Sequence, residues 1–468
     1  MANTIVSSNL TSGFIDLATF DELEKYMYGS GQAITYFVRE TRKSTWFTQV
    51  PTVLSRSSGT ADFNQEWSAN ITRAGDYLLQ VWLRFDLPAV TFASNATGTG
   101  LRWTKNLAHN VIRESSVTFN DLQAARLDSY FLDFWAAFTV PAGKQVGYNN
   151  MIGNISDLYN PVAPGGTIRG ATLNLPLPYF FTRDTGVGLA TAALPYNEMK
   201  IQMWFRDWTE LLLVDNINVS VGVNPTRAAT TADLANGAPS LSNVYVWANY
   251  AIVSNDERKR MGCAPRDILI EQVQTAPVQN WTPATNPNPS YDIRFSHAIK
   301  VLFFAVRNVT TRAQHSNYVN TSPLPTSGPN INYIPSYPSA SDPIQNTSLI
   351  YENTARLGYM GSDYFSLVQP WYQPSAVIPT STGYHMYSYS LDFLSCDPKG
   401  STNYGKLTNV SISPAATADA IAAAQGTLAT PAGSVWATWW PQNYSFVTVA
   451  VNNNIIRISG GALGFPVL

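Results

Sequence analysis

Through most of the chain apolar and polar residues alternate with a period of two, the signature of half-buried strands. Stretches 76–85, 110–119, 197–205, 244–253, 266–273, 384–393, 406–412, 444–451 and 454–459 follow it, and Leu87-Pro88 and Asn120-Asp121 close the first two. Residues 299–306 form a nearly continuous apolar run, which predicts a strand buried on both faces. Helical spacing is rarer. Ala125, Leu127, Phe131, Leu132, Trp135 and Phe138 predict a helix over 122–138, ended by Pro141 and Gly143. A short amphipathic helix is expected at 14–26, with Thr19 as its cap, Glu22 three residues on, and Gly29-Ser30-Gly31 as its stop. A charged helix is expected near 256–261.

The chain has 468 residues. One hydrophobic core stops growing at roughly 250–300 residues, so two domains are expected. Residues 216–242 turn to Ala, Thr, Asn, Gly and Pro without a period and predict a linker. Loops are expected at 147–170 and 308–347. Ala108-His109-Asn110-Val111-Ile112-Arg113 is faintly echoed by Ser296-His297-Ala298-Ile299-Lys300, each beside a strong strand of its half. The expected fold is mainly β: two tandem eight-stranded jelly-roll β-sandwiches with short helices in the loops. The expected division is an N-terminal arm at 1–28, a first jelly roll at 29–215, the linker at 216–242 and a second jelly roll at 243–468.

Charged residues make up only 13% of the chain and aromatic residues 12%. Interface cores share that bias, which points towards an obligate oligomer. Net charge is −2, and the densest basic stretch, 256–260, carries its own Asp256 and Glu257. Polyanion binding needs a clustered basic face, so direct contact with nucleic acid is not expected. Cys263 and Cys396 are too few for a disulfide framework and are expected as buried free thiols. Residues 1–6 lack a basic and an apolar region, so no secretory leader is expected, and Ala2 excludes N-myristoylation. The Asn-x-Ser/Thr triplets, from Asn9 to Asn443, then read as products of an Asn- and Thr-rich composition.

Candidate chemistry is sparse. Gly400-Ser401-Thr402-Asn403-Tyr404-Gly405-Lys406 has the frame of a phosphate-binding loop, but Leu407 stands where Mg²⁺ needs Ser or Thr. A tight turn into a strand is the better reading. His109, His297, His315 and His385 form no ligand pair, so zinc is not suggested. Asp128/Asp133 and Asp207/Glu210 are acid pairs, best read as caps and surface groups. A carbohydrate-binding β-sandwich would need an exposed aromatic row. Trp82, Trp135, Trp204 and Trp247 sit in patterned elements and are expected in the core; only Trp439-Trp440 reads as loop-exposed. No catalytic, cofactor-binding or metal-binding residue is therefore assigned, and no cofactor is expected.

Several ordered blocks then take on meaning together. Asn9-Leu10-Thr11-Ser12-Gly13-Phe14-Ile15-Asp16-Leu17-Ala18-Thr19, Thr35-Tyr36-Phe37-Val38-Arg39-Glu40 and Arg73-Ala74-Gly75-Asp76-Tyr77-Leu78 resemble stretches of iridovirus major capsid proteins. So do Leu175-Pro176-Leu177-Pro178-Tyr179-Phe180-Phe181-Thr182-Arg183-Asp184-Thr185-Gly186, Ala193-Leu194-Pro195-Tyr196-Asn197-Glu198, Gly361-Ser362-Asp363-Tyr364-Phe365 and Asn454-Ile455-Ile456-Arg457-Ile458-Ser459-Gly460-Gly461. Pro398-Lys399-Gly400-Ser401-Thr402-Asn403-Tyr404 is similar to a P-x-G-x-x-N-(F/Y) turn found more widely in capsid proteins of large DNA viruses. The resemblance implies a structural protein and no enzyme. It implies two jelly rolls side by side, a homotrimer forming a pseudo-hexameric capsomer, and an icosahedral shell over an internal membrane. Neighbouring capsomers, minor capsid proteins and penton proteins are the implied partners. The implied location is the virion capsid, made and assembled in host cytoplasm. The arm at 1–28 would touch partners on the inner side.

Overall fold

The structure, a computed structural model, describes residues 2–325, 333–334, 342–432 and 434–466. Residues Met1–Trp46 form a unit of their own. It holds helices α1 (Ala2–Ala18) and α2 (Glu22–Met27). Asp21, not Thr19, caps α2. Its carboxylate accepts from the Leu23 and Glu24 N–H groups at 2.8 and 3.3 Å, and the Glu24 carboxylate accepts from the Asp21 N–H at 3.2 Å. Thr19 is held back by α1, where its hydroxyl donates to the Ile15 carbonyl at 2.9 Å.

Phe47–Leu468 form the second unit. Its first half carries β1 (Phe47–Val53), β2 (Glu66–Asn70), β3 (Tyr77–Leu87), β4 (Ile112–Phe119), β5 (Leu122–Asp128), helix α3 (Ser129–Thr139), β6 (Ala171–Pro176), β7 (Met199–Phe205) and β8 (Ser242–Val253). They pair antiparallel as β1-β8-β3-β6 and β2-β7-β4-β5. The second half carries β9 (Arg266–Thr275), β10 (Tyr291–Asp292), β11 (Ala298–Asn308), β12 (Ile344–Tyr351), β13 (Thr354–Gly361), β14 (His385–Ser388), β15 (Val410–Ala416) and β16 (Tyr444–Ser459). They pair as β9-β16-β11-β14 and β10-β15-β12-β13. Each sheet of the second half thus repeats a sheet of the first in strand order. Two facing sheets, each built on four strands in this order, make a jelly roll, so the expected fold class holds.

Period two explains the strands. In β3, Val81, Leu83, Phe85 and Leu87 point into the sandwich, while Gln80 and Arg84 point out. β11 is buried on both faces as the sequence predicted. Leu302, Phe304 and Val306 enter the second roll's core, and Val301, Phe303 and Ala305 join the core that extends from the first roll.

The 122–138 segment is not one helix. Leu122–Asp128 is a strand paired with β4, and only Ser129–Thr139 is helical. Asn120 and Asp121, at φ 49° and 64°, make the two-residue turn that a right-twisted hairpin requires, and this overrides the helical spacing. The Asp128 carboxylate then starts α3 by accepting from the Phe131 N–H at 2.8 Å. Smaller shifts follow from local caps. Residues 110 and 111 end a short helix, Leu107–Val111. Pro141 sits at the N-cap of a helix, Ala142–Ile152, which runs into the start of the loop expected at 147–170. The strand expected at 406–412 lies at Val410–Ala416, and that at 384–393 shortens to His385–Ser388. Parts of the 308–347 loop, residues 326–332 and 335–341, lie outside the described residues, as do 433 and the tail end 467–468.

The expected linker is structured. Thr226–Ala228 pairs with Leu212–Asn216, which pairs with Thr99–Trp103. The buried Asp215 carboxylate accepts from Arg102 Nε at 2.8 Å and from the Thr226 hydroxyl at 2.6 Å. Ser242–Val253, expected to open the second half, pairs with β1 and β3 of the first. Val244, Val246, Ala248 and Tyr250 alternate inward to fill the first core, and burying them there fixes the pairing. The chain crosses over at helix Asn255–Cys263.

Candidate functional site

The two rolls meet across an aromatic seam. The α3 helix of the first roll presents Phe134, Trp135 and Phe138 to the outer face of the β9-β16-β11-β14 sheet. The Phe134 and Phe138 rings stack on Phe303 with centroids 5.8 and 5.5 Å apart. Trp135 meets Phe393 edge-on at 6.1 Å. Packing of this kind fixes the two sandwiches as one body, because interiors tolerate little loss of volume.

Polar groups at the seam are buried and paired. Asp133, 2% exposed, accepts from His109 Nδ1 at 2.8 Å and Asn106 Nδ2 at 3.2 Å in the first roll. From the second half it accepts from the Ser316 hydroxyl at 2.8 Å and the Tyr318 hydroxyl at 2.9 Å. Burial, together with the Asp133 charge, pushes the Tyr318 and Tyr384 phenols well up from their ordinary value. Glu271 of β9 is shared between Lys300 of β11, which also donates to the Ser395 carbonyl at 2.6 Å, and Arg183 of the first roll at 2.8 Å. The Arg183 guanidinium lies 3.8 Å from the Trp135 ring centroid.

A second cationic cluster surrounds His315. Arg307 Nη2 donates to His315 Nδ1 at 3.0 Å, and His315 Nε2 donates to the Glu210 carbonyl across the seam at 3.0 Å. The His315 N–H donates to the Thr104 hydroxyl at 2.9 Å. Burial and the charges of Arg307 and Arg206 hold this imidazole well below its ordinary value, as a neutral connector.

The residues singled out in sequence are scattered. Asp128 caps α3 and accepts from the Thr275 hydroxyl at 2.6 Å. Asp207 caps a short turn, and Glu210 pairs with Arg113 and Arg312, each at 2.9 Å. His385 stacks on Phe304 and meets Asp342 at 2.9 Å, while His297 sits in a left-handed turn at φ 62°. The 400–407 frame is a turn: Asn403 Oδ1 accepts from the Gly405 N–H at 3.0 Å, and Tyr404 is buried. Among the described residues no cluster of three His, Cys, Asp or Glu stands ready to hold a metal, and no helix is long and apolar enough to cross a membrane.

Three expectations are corrected. Trp439 and Trp440 are buried with Trp436 and Leu324, because the following Tyr444–Ser459 strand pulls them inward. Trp204 is 42% exposed beneath the Arg113 guanidinium, and Trp82 and Trp247 are half-buried on the outer face of their sheet, since strand alternation turns them out. Cys263 is exposed at the end of a solvated helix; it and Cys396 are unpaired. Asp133, Lys300, Glu271 and Arg183 were missed as connectors. Lys300 carried the one usable signal, a lone cation inside the apolar run 299–306.

Solved structures of viral capsid proteins share this architecture. VP54 of PBCV-1, fitted into a reconstruction of the virophage Sputnik, superposes with a TM-score of 0.70 at 20% identity, over 93% of this chain and all of that one. The Faustovirus major capsid protein superposes at 0.68 and 11% identity, over 98% and 99%. The strand order and these neighbours define a double jelly-roll capsid fold. Residues 35–253 match the model of the major capsid protein N-terminus, and residues 257–464 that of the large eukaryotic DNA virus major capsid protein. The major capsid protein of Costelytra zealandica iridescent virus is 63% identical over 99% of both chains, and that of Invertebrate iridescent virus 3 is 60% identical over 99% of this chain and all of its own. The chain belongs to the large eukaryotic DNA virus major capsid protein family; it is a structural protein of the virion capsid and not an enzyme.

Proposed function

We propose that three copies of the chain form a pseudo-hexameric capsomer, and that capsomers tile an icosahedral shell over an internal viral membrane. The observation behind this reading is the repeat. Two rolls of one strand order, joined by a buried apolar seam, give three copies six similar lobes. One chain then fits a hexagonal lattice site. Neighbouring capsomers meet at the rims, minor capsid and penton proteins meet the inner face and the vertices, and nucleic acid is not touched directly. The arm at 1–28 engages these inner partners. Assembly takes place in host cytoplasm. No residue serves catalysis, a cofactor or a metal.

The test is the mass of the purified chain by light scattering near neutral pH. A species of three 51.4 kDa chains that survives dilution supports the reading, and a stable monomer overturns it.

A further inference from the structure

Because the rolls repeat strand for strand, each part of the junction has a counterpart elsewhere in the chain. In the first roll the chain leaves the β4–β5 hairpin through α3, which covers the outer face of the second roll's β9-β16-β11-β14 sheet. In the second roll it leaves the matching β12–β13 hairpin through a π-helical turn, Tyr364–Val368, that runs into helix α4 (Gln369–Tyr372). The hairpins even share their turn: Glu352 and Asn353 have φ of 47° and 62°, like Asn120 and Asp121.

The two helices differ in what covers them. Phe365 anchors the second one to its own roll, 5.2 Å from Phe304. Its outer side is bare: Leu367, Trp371 and Tyr372 are 50%, 72% and 78% exposed. The matching residues of α3, Phe134 and Phe138, are fully buried at the seam. The surface α3 covers also has a counterpart, the half-buried outer face of β1-β8-β3-β6. There β3 turns out Gln80, Trp82 and Arg84 opposite Asn249, Trp247 and Tyr245 of β8. Trp82 and Trp247 stack at 6.1 Å with planes 10° apart. Phe303 and Val449 hold the corresponding place on the second roll, and both are fully buried.

We propose that Leu367, Trp371 and Tyr372 of one copy dock on the Trp82–Trp247 face of the next copy, repeating between chains the seam that α3 makes within one. The inference rests on the reading that copies of the chain assemble into a ring. The contact is heterologous, with one donor ledge and one acceptor face per copy, so it closes when three copies have turned full circle. Trp and Tyr dominate the energetics of such contacts, and the indole pair, rimmed by the Gln80 and Asn249 amides and the Arg84 guanidinium, suits them.

The experiment compares the full chain with W371S/Y372S and with Asn249→Arg by light scattering across a dilution series, with circular dichroism as the folding control. The donor residues are exposed, so the spectrum is expected to be unchanged. Each variant is expected to raise the trimer dissociation constant by about 100-fold or more. Mixing the two variants is expected to yield a dimer through the one intact donor–acceptor pair. Folded variants that stay trimeric beside a trimeric wild type overturn the inference and leave the trimer standing. The same holds if they stay trimeric but lose binding to another viral protein, which would assign the ledge to that partner. A monomeric wild type overturns both readings.

Discussion

The Phe134 ring of the first roll lies on the Phe303 ring of the second, centroids 5.8 Å apart and planes 11° apart, with both side chains fully buried. Phe303 therefore belongs to a core that neither roll completes alone. Truncating a buried Phe to Ala costs about 3–5 kcal/mol through lost burial and the cavity left behind. F303A is expected to lower the melting temperature while leaving a single calorimetric transition, because the shared seam couples the rolls. Two separated transitions in the wild type would show that they unfold independently.

Lys300 is fully buried between Glu271 and the Ser395 carbonyl, and Glu271 also carries the Arg183 contact between rolls. Removing the one member that both cations share leaves two uncompensated buried charges and costs about 3–5 kcal/mol. E271A is expected to lose that much in denaturant unfolding. The exposed pair Arg457–Asp267, at 2.7 Å, serves as the control, and R457A is expected to leave the unfolding midpoint in place.

How far the sequence could be read follows from what each residue type determines. The period-two runs and the doubly buried 299–306 strand were legible, because alternation and continuous apolarity are the physical cause of those elements. Leu122–Asp128 was misread because Ala125 and Leu127 fit both periods, and only the conformation of Asn120-Asp121 decided between them. The partner of Ser242–Val253 was not legible. Alternation says that a strand has an inner face, but not which core fills against it. Trp439-Trp440 looked exposed beside Pro441, yet Gln442 and Tyr444 tie the segment inward to Asn308 and Asn320. The buried connectors escaped because they join residues far apart in the chain, such as Asp133 and Tyr318.

His315 links pH to the seam. Its imidazole is held below the ordinary 6.5 by burial and by Arg307, Arg206 and Arg113, while Glu210 offers it a carbonyl. The unfolded chain therefore takes up the proton first as pH falls. The neutral contact stabilises fully above pH 6.5, and that contribution drains below it, by up to about 1.4 kcal/mol per pH unit until the folded value is reached. Asp76 and Asp233 also sit below their ordinary 3.8, so their losses begin only at lower pH. Between pH 6.5 and 5 the melting temperature is expected to fall more steeply in the wild type than in H315Q. Equal slopes would remove His315 from this role.

The unit Met1–Trp46 shows a different economy of residues. Leu10, Phe14, Leu17, Leu23 and Tyr26 are all more than half exposed, and no residue of α2 is buried. Asp16, Asp21, Glu22 and Glu24 outnumber the single cation Lys25 within 1–28. A six-residue helix such as α2 is marginal alone, and the exposed apolar residues of this unit gain most from burial against a partner. The proteins of the shell interior are the proposed partner, and the excess of acids favours a basic surface. Deleting residues 1–28 is expected to leave the trimer mass and the melting temperature of the rolls unchanged and to weaken assembly of complete shells. Light scattering and particle counts by electron microscopy report the two effects separately. Loss of trimers on deletion would show that the arm holds the capsomer together instead of serving its attachment.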